Sequence, residues 1–89
     1  MEQVIHQPTA TAAVALATAE LILAIQKEFP NVRLLPCEPI EGQDIHLHAY
    51  LPLQPGEHLA AQDRIVEIEL AVQDKFGVDT VVVVVPEYA

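Results

Sequence analysis

His46 and His48 stand one residue apart in the segment Asp44 to Leu53, DIHLHAYLPL. In an extended strand alternate side chains share a face, so both imidazoles project the same way. Neutral imidazoles presented in this manner are ligands for zinc or a similar divalent transition metal. A short strand over 32–37 precedes them, and a hairpin turning near Ile40 would bring Cys37 close to Asp44 and within reach of His46. With Val32 and Leu34 directed to the core, Arg33, Leu35 and Cys37 fall on the histidine face. A cysteine, two histidines and an aspartate make a chemically sensible donor set. The alternative is a set of polar residues on the wet face of a half-exposed sheet. Arg33 favours that alternative, because a nearby cation repels a metal ion.

Glu57 and His58 open a later helix and could donate to a second metal site, at a subunit boundary. They also fit an exposed first turn with an acid suited to the helix dipole. His6 sits in an N-terminal tail and carries little weight. Cys37 has no C-x-x-C partner and no evident catalytic histidine, which leaves a nucleophilic role without support. Glycine-rich phosphate loops, nucleophile elbows and H-E-x-x-H are all missing. The acidic residues are spread along helices, as on a solvated surface. The sequence therefore points away from an enzyme.

The elements that must position these residues fit within 89 residues, one small domain. Such a domain is marginally stable unless a metal, a disulfide or a partner subunit helps it. Hydrophobic residues make up 52% and charged residues 19%, so the chain should fold. Its net charge of −9 disfavours nucleic acid and anionic membranes and favours cations or basic partners. One cysteine excludes an internal disulfide and fits a reducing cytosol. The run Gln3–Ala19 lacks the basic start of a signal peptide and is too weakly apolar to span a bilayer. The expected protein is soluble and cytoplasmic.

After a tail over 1–8, with Thr9 as a cap, the residues from Ala10 to Phe29 predict a helix. Its core stripe is Val14, Ala17, Leu21, Ala24 and Ile25. Ala12, Leu16, Ala19 and Leu23 make it apolar on other sides too, so it should be covered on more than one side. Asp44 to Leu53 alternates strictly: Ile45, Leu47, Ala49 and Leu51 face one way, and Asp44, His46, His48 and Tyr50 the other. A second helix runs from about Glu57 to Phe76, with Ala61, Ile65, Ile68, Val72 and Phe76 inward, and Gly77 ends it. Thr80 to Val85 is a valine strand without alternation, the pattern of burial on both faces. The expected fold is α+β, a small αββαβ two-layer sandwich with both helices on one face of a three-stranded sheet. The other face of the valine strand would then need covering, and a symmetric homodimer is the simplest cover.

The segment from Glu41 to Glu87 resembles the cytoplasmic C-terminal domain of cation diffusion facilitator transporters. The shared features are Gly42 before a strand, the strand DIHLHAYLPL, a helix of acidic and aliphatic residues closing on Lys75 to Val78, and a valine strand ending in Pro86 and Glu87. The stretch AELILAIQKEFPNVRLL fits the family's opening helix and first strand. The resemblance implies a metallochaperone-like fold, a V-shaped homodimer and a divalent cation near the dimer groove. It also implies a partner, a membrane cation transporter, which a stand-alone domain would regulate; a metal buffer is the other role. Family members carry a transmembrane domain before this one; none is expected within these 89 residues. His48 matches a histidine on the family's second strand. Where the family places one early in the second helix, this chain has Gln62 or, shifted, His58. Where it places one on the last strand, this chain has Val83, Val84 and Val85. Any site must be rebuilt from His46, His48, Cys37, His58, Glu57 and nearby acids.

Two functions follow as expectations. One is a homodimeric metal-binding protein holding zinc or another divalent transition metal. The other is a metal-independent dimeric module that binds a protein or a small effector. The paired histidines favour the first and the missing last-strand histidine favours the second.

Overall fold

The computed structural model describes residues 3–40 and 42–88, with side chains from Thr11 onward. The elements run α1 (Gln3–Glu28), β1 (Arg33–Pro36), β2 (Ile45–Pro52), α2 (His58–Phe76) and β3 (Thr80–Glu87). They form the expected α+β sandwich: a three-stranded sheet in the order β1-β2-β3 under two helices. β1 pairs antiparallel with β2, and β3 pairs parallel with β2, so α2 is the crossover of a β-α-β unit.

The core comes from one face of each element. Ile45, Leu47, Ala49 and Leu51 of β2 are buried, and the residues between them are only half-buried. Ala17, Leu21 and Ile25 of α1 and Ala61, Ile65, Ile68 and Val72 of α2 close over them. Burying each large aliphatic side chain contributes about 1.5–3 kcal/mol. Two ion pairs link the helices: Lys75 Nζ to Glu20 Oε1 at 2.8 Å and Arg64 to Glu28 Oε1 at 2.8 Å. Such exposed pairs are worth about 0–1 kcal/mol each, so they align the helices more than they hold them. α2 ends where Gly77 adopts φ 67°, the left-handed conformation, and returns its N–H to the Gln73 carbonyl.

Several boundaries differ from the sequence reading. α1 starts at Gln3, so the expected tail is helical from there and Thr9 lies inside the helix instead of capping it. Pro8 therefore lies inside the helix, where it has no N–H for the turn before it. β1 is shorter than expected and stops at Pro36. β3 runs on through Pro86 to Glu87. The outer side of α1 is open within the single chain, with Leu16 and Leu23 well exposed. Among the described residues no helix is long and apolar enough to cross a membrane.

β3 is an edge strand, and α2 covers part of that edge. Asp79 and Glu87 turn their carbonyls to β2, accepting N–H groups from Asp44, Ile45 and Leu53. Backbone groups of a strand alternate in direction, so those of Thr80, Val82, Val84 and Pro86 face the free edge. Glu69 is buried and meets two groups there. Its carboxylate accepts the Thr80 hydroxyl at 2.6 Å and the Val82 N–H. Gln73 Nε2 donates to Thr80 Oγ1 at 2.9 Å and reaches the Thr80 carbonyl at 3.4 Å. Further along, Pro86 has no N–H to offer.

Burial raises the pKa of Glu69 above the ordinary carboxylate value, and its bonds to Thr80 and Val82 only partly oppose the rise. The folded state therefore holds this proton more tightly than the unfolded state. The stabilising effect of the neutral form is complete below about pH 4.5 and is lost as pH rises through the raised folded pKa. Glu69→Gln keeps an acceptor and removes the charge. Thermal melts should show the variant close to the parent at pH 4 and more stable at pH 8. Glu69→Ala removes the acceptors and should lower stability by about 1–3 kcal/mol at low pH.

Candidate metal site

The face of the sheet away from the helices is a grid set by strand register. Arg33, Leu35 and Cys37 lie along the β1 edge. Arg33 pairs with Tyr50 and Leu35 with His48, while Cys37 donates its N–H to the His46 carbonyl at 2.8 Å. On the other side His46 pairs with Val81, His48 with Val83 and Tyr50 with Val85. Each row thus joins one residue from each strand. The Cys37 and His48 rows are neighbours, and the Arg33 row lies at the far end.

Cys37, His46 and His48 each offer a ligand atom, and these atoms lie within 4.8 Å of one another. All three residues are half-buried. The imidazole rings stand edge to face, with centroids 5.0 Å apart. Around a tetrahedral zinc, with bonds of about 2.0–2.3 Å, ligand atoms sit about 3.4–3.7 Å apart. Side-chain rotations of about 1 Å would close the group to that size. His46 Nδ1 lies 3.0 Å from the Glu38 carbonyl oxygen. A carbonyl only accepts, so Nδ1 carries the proton and Nε2 keeps the lone pair. A backbone carbonyl on the second ring nitrogen is the usual way a metal-binding histidine is oriented. Cys37 Sγ makes one long contact, donating to the Leu35 carbonyl at 3.5 Å.

The other residues singled out from sequence are placed as follows. Asp44 Oδ2 accepts the Asp79 N–H at 2.9 Å, so this carboxylate ties β2 to β3 and stands outside the group. Arg33 lies with its guanidinium carbon 5.0 Å above the Tyr50 ring, and it pairs with Glu87 of β3. Its charge is therefore balanced at the end of the sheet away from Cys37 and His46. Glu57 and His58 sit beyond the opposite end of β2, at the start of α2, and do not join the group. The Glu57 carboxylate accepts the Gln54 N–H at 2.6 Å. Glu57 also borders an open hollow of about 450 Å³ floored by Phe29, Leu53 and Ala61, with Glu28 and Arg64 at its rim. His58 Nε2 is buried with no hydrogen-bond partner among the described residues. The side chain of His6 lies outside the described residues. The carbonyl of Glu38 was not foreseen; the only sequence signal for it is the short connection between Cys37 and His46.

No known protein family matches this chain, and no curated protein or solved structure does either.

The carbonyl contact makes a spectroscopic prediction. In long-range ¹H–¹⁵N correlation spectra of the metal-free protein at pH 8, His46 should show the Nδ1–H tautomer. An Nε2–H tautomer, the commoner form of free imidazole side chains in water, would mean that the Glu38 contact does not form.

Proposed function

We propose that this protein binds a divalent transition metal of the zinc type through Cys37, His46 and His48. The observation that carries the reading is the convergence of one thiol and two imidazoles within 4.8 Å of one another, with one imidazole already oriented by a carbonyl. Thiolate and imidazole are ligands that zinc prefers. Three protein ligands leave a fourth position for water or for a group brought by another molecule. Such a site on a sheet surface lacks an enclosed four-ligand shell, so its affinity is modest and the protein folds without the ion. The resemblance to the cytoplasmic domains of cation diffusion facilitators supports a role in metal homeostasis, as a buffer or as a regulator of a cation transporter.

We further propose a homodimer centred on β3. Val83 and Leu35 are exposed on the open sheet face, and Val81 and Val85 are half-buried beside them. A contact centred on the valine column would leave Cys37, just past the end of the opposite edge strand, at its rim. The same apolar residues favour the second reading, a dimeric module that captures a protein or effector without metal.

Zinc titration by calorimetry separates the two. The metal reading expects one ion per chain with a micromolar Kd, and affinity falling as pH is lowered because protons compete for the donors. His46→Ala with His48→Ala should weaken binding about 100-fold or more. Zinc at 100 times its Kd should raise stability by about 2.7 kcal/mol. Unchanged affinity in the double variant would move the site elsewhere, and no heat or melting shift with zinc, nickel, cadmium or copper would leave the metal-free module. For the dimer, light scattering should report twice the chain mass at micromolar concentration. Val83→Lys, which buries a charge in the contact, should then cost several kcal/mol of association, on the order of 3–5. A monomer mass for the unaltered protein overturns the dimer.

A further inference from the structure

The donor group contains the only thiol in the chain, and this gives it a reactivity that imidazole lacks. We propose that Cys37 is an oxidation site for hydroperoxides, and that its oxidation expels the metal. The proposal rests on the reading of Cys37, His46 and His48 as metal ligands.

Three features of the structure support it. First, Cys37 is half-buried just past the end of the edge strand β1, so a small peroxide reaches its sulfur from solvent. Second, the sulfur makes one long hydrogen bond, to the Leu35 carbonyl at 3.5 Å, which holds it only weakly. Third, the other two ligands stand on the central strand, whose backbone is paired on both sides. Oxidation therefore removes one ligand and leaves the two histidines where they were. Two imidazoles alone hold a zinc-type ion weakly.

The step is balanced. The Cys37 thiolate sulfur attacks one oxygen of hydrogen peroxide, an S–O bond forms and the O–O bond breaks. Sulfur loses two electrons, the peroxide gains them, and the products are Cys37 sulfenic acid and hydroxide. The metal keeps its charge and leaves as the hydrated dication. Without a second cysteine in the chain, the sulfenic acid has no internal partner. A low-molecular-weight thiol restores it in two steps: a mixed disulfide forms with loss of water, and a second thiol then releases the Cys37 thiol and a free disulfide.

The experiment uses the full reduced chain loaded with zinc. Hydrogen peroxide is added, and released zinc is followed with a chromogenic chelator while dimedone traps sulfenic acid. The expected result is about one zinc released for each dimedone adduct on Cys37, and, in a parallel sample without dimedone, binding recovered after dithiothreitol. Zinc should also slow alkylation of Cys37 by iodoacetamide by about tenfold. Cys37→Ser should bind zinc about tenfold or more weakly, and the zinc it holds at saturation should be unaffected by peroxide. Equal release from the parent and Cys37→Ser, or release without a Cys37 adduct, overturns the proposal and leaves the metal site standing. So does a zinc-loaded parent that keeps its metal in peroxide. A reduced protein that binds no zinc overturns the metal reading itself.

Discussion

Two helices can cover one side of a three-stranded sheet and no more. Every other feature of this molecule is arranged around that limit. Ile45, Leu47, Ala49 and Leu51 go under the helices, and the two-residue period of a strand then sends His46, His48 and Tyr50 to the uncovered side. A slip of one residue would bury the imidazoles and expose four aliphatic side chains, so the core itself holds the two imidazoles on their face. The donor group is thus positioned by packing on the far side of the sheet, and its own contacts supply only the final orientation.

The uncovered face is also divided by chemistry along its length. Arg33, Tyr50 and Glu87 make a cationic, aromatic and anionic chain across one end, from β1 over β2 to β3. Cys37, His46 and His48 occupy the other end. Leu35 and Val83 flank His48 in its own row. The arginine that seemed to oppose a metal on sequence grounds is paired with its own carboxylate, so its charge is spent at a distance from the sulfur and the imidazoles.

Much of this was legible in the residues. The strict alternation of 44–53 told which side chains of β2 are wet, and the aliphatic spacing in both helices named the buried stripe. The hairpin expected to turn near Ile40 put Cys37 close to Asp44 and within reach of His46; in the fold Cys37 stands opposite His46, and the Asp44 carboxylate turns to Asp79 instead. Three features were hidden. The start of α1 was masked by Pro8, which reads as a boundary although its backbone angle is helical. Glu69 read as one more solvated acid because an isolated charge gives no sign of burial. Its signal is a position four residues after Ile65, on the buried stripe, together with the polar Thr80 within a strand of valines. The direction of Asp44 depended on β3 lying beside β2, a pairing between distant segments that local pattern does not encode.

The two rims of the sheet carry a consequence for assembly. On the β1 side the odd-numbered residues bond to β2, so Pro36 stands outward with no hydrogen to give. On the β3 side the acid and amide of α2 occupy one stretch and Pro86 blanks another. A further strand laid against either rim would meet gaps in the backbone ladder. Stacked growth of the cross-β kind, to which a five-valine segment would otherwise be prone, is obstructed at both ends of the sheet. Fibres seeded from the folded state should therefore be rare.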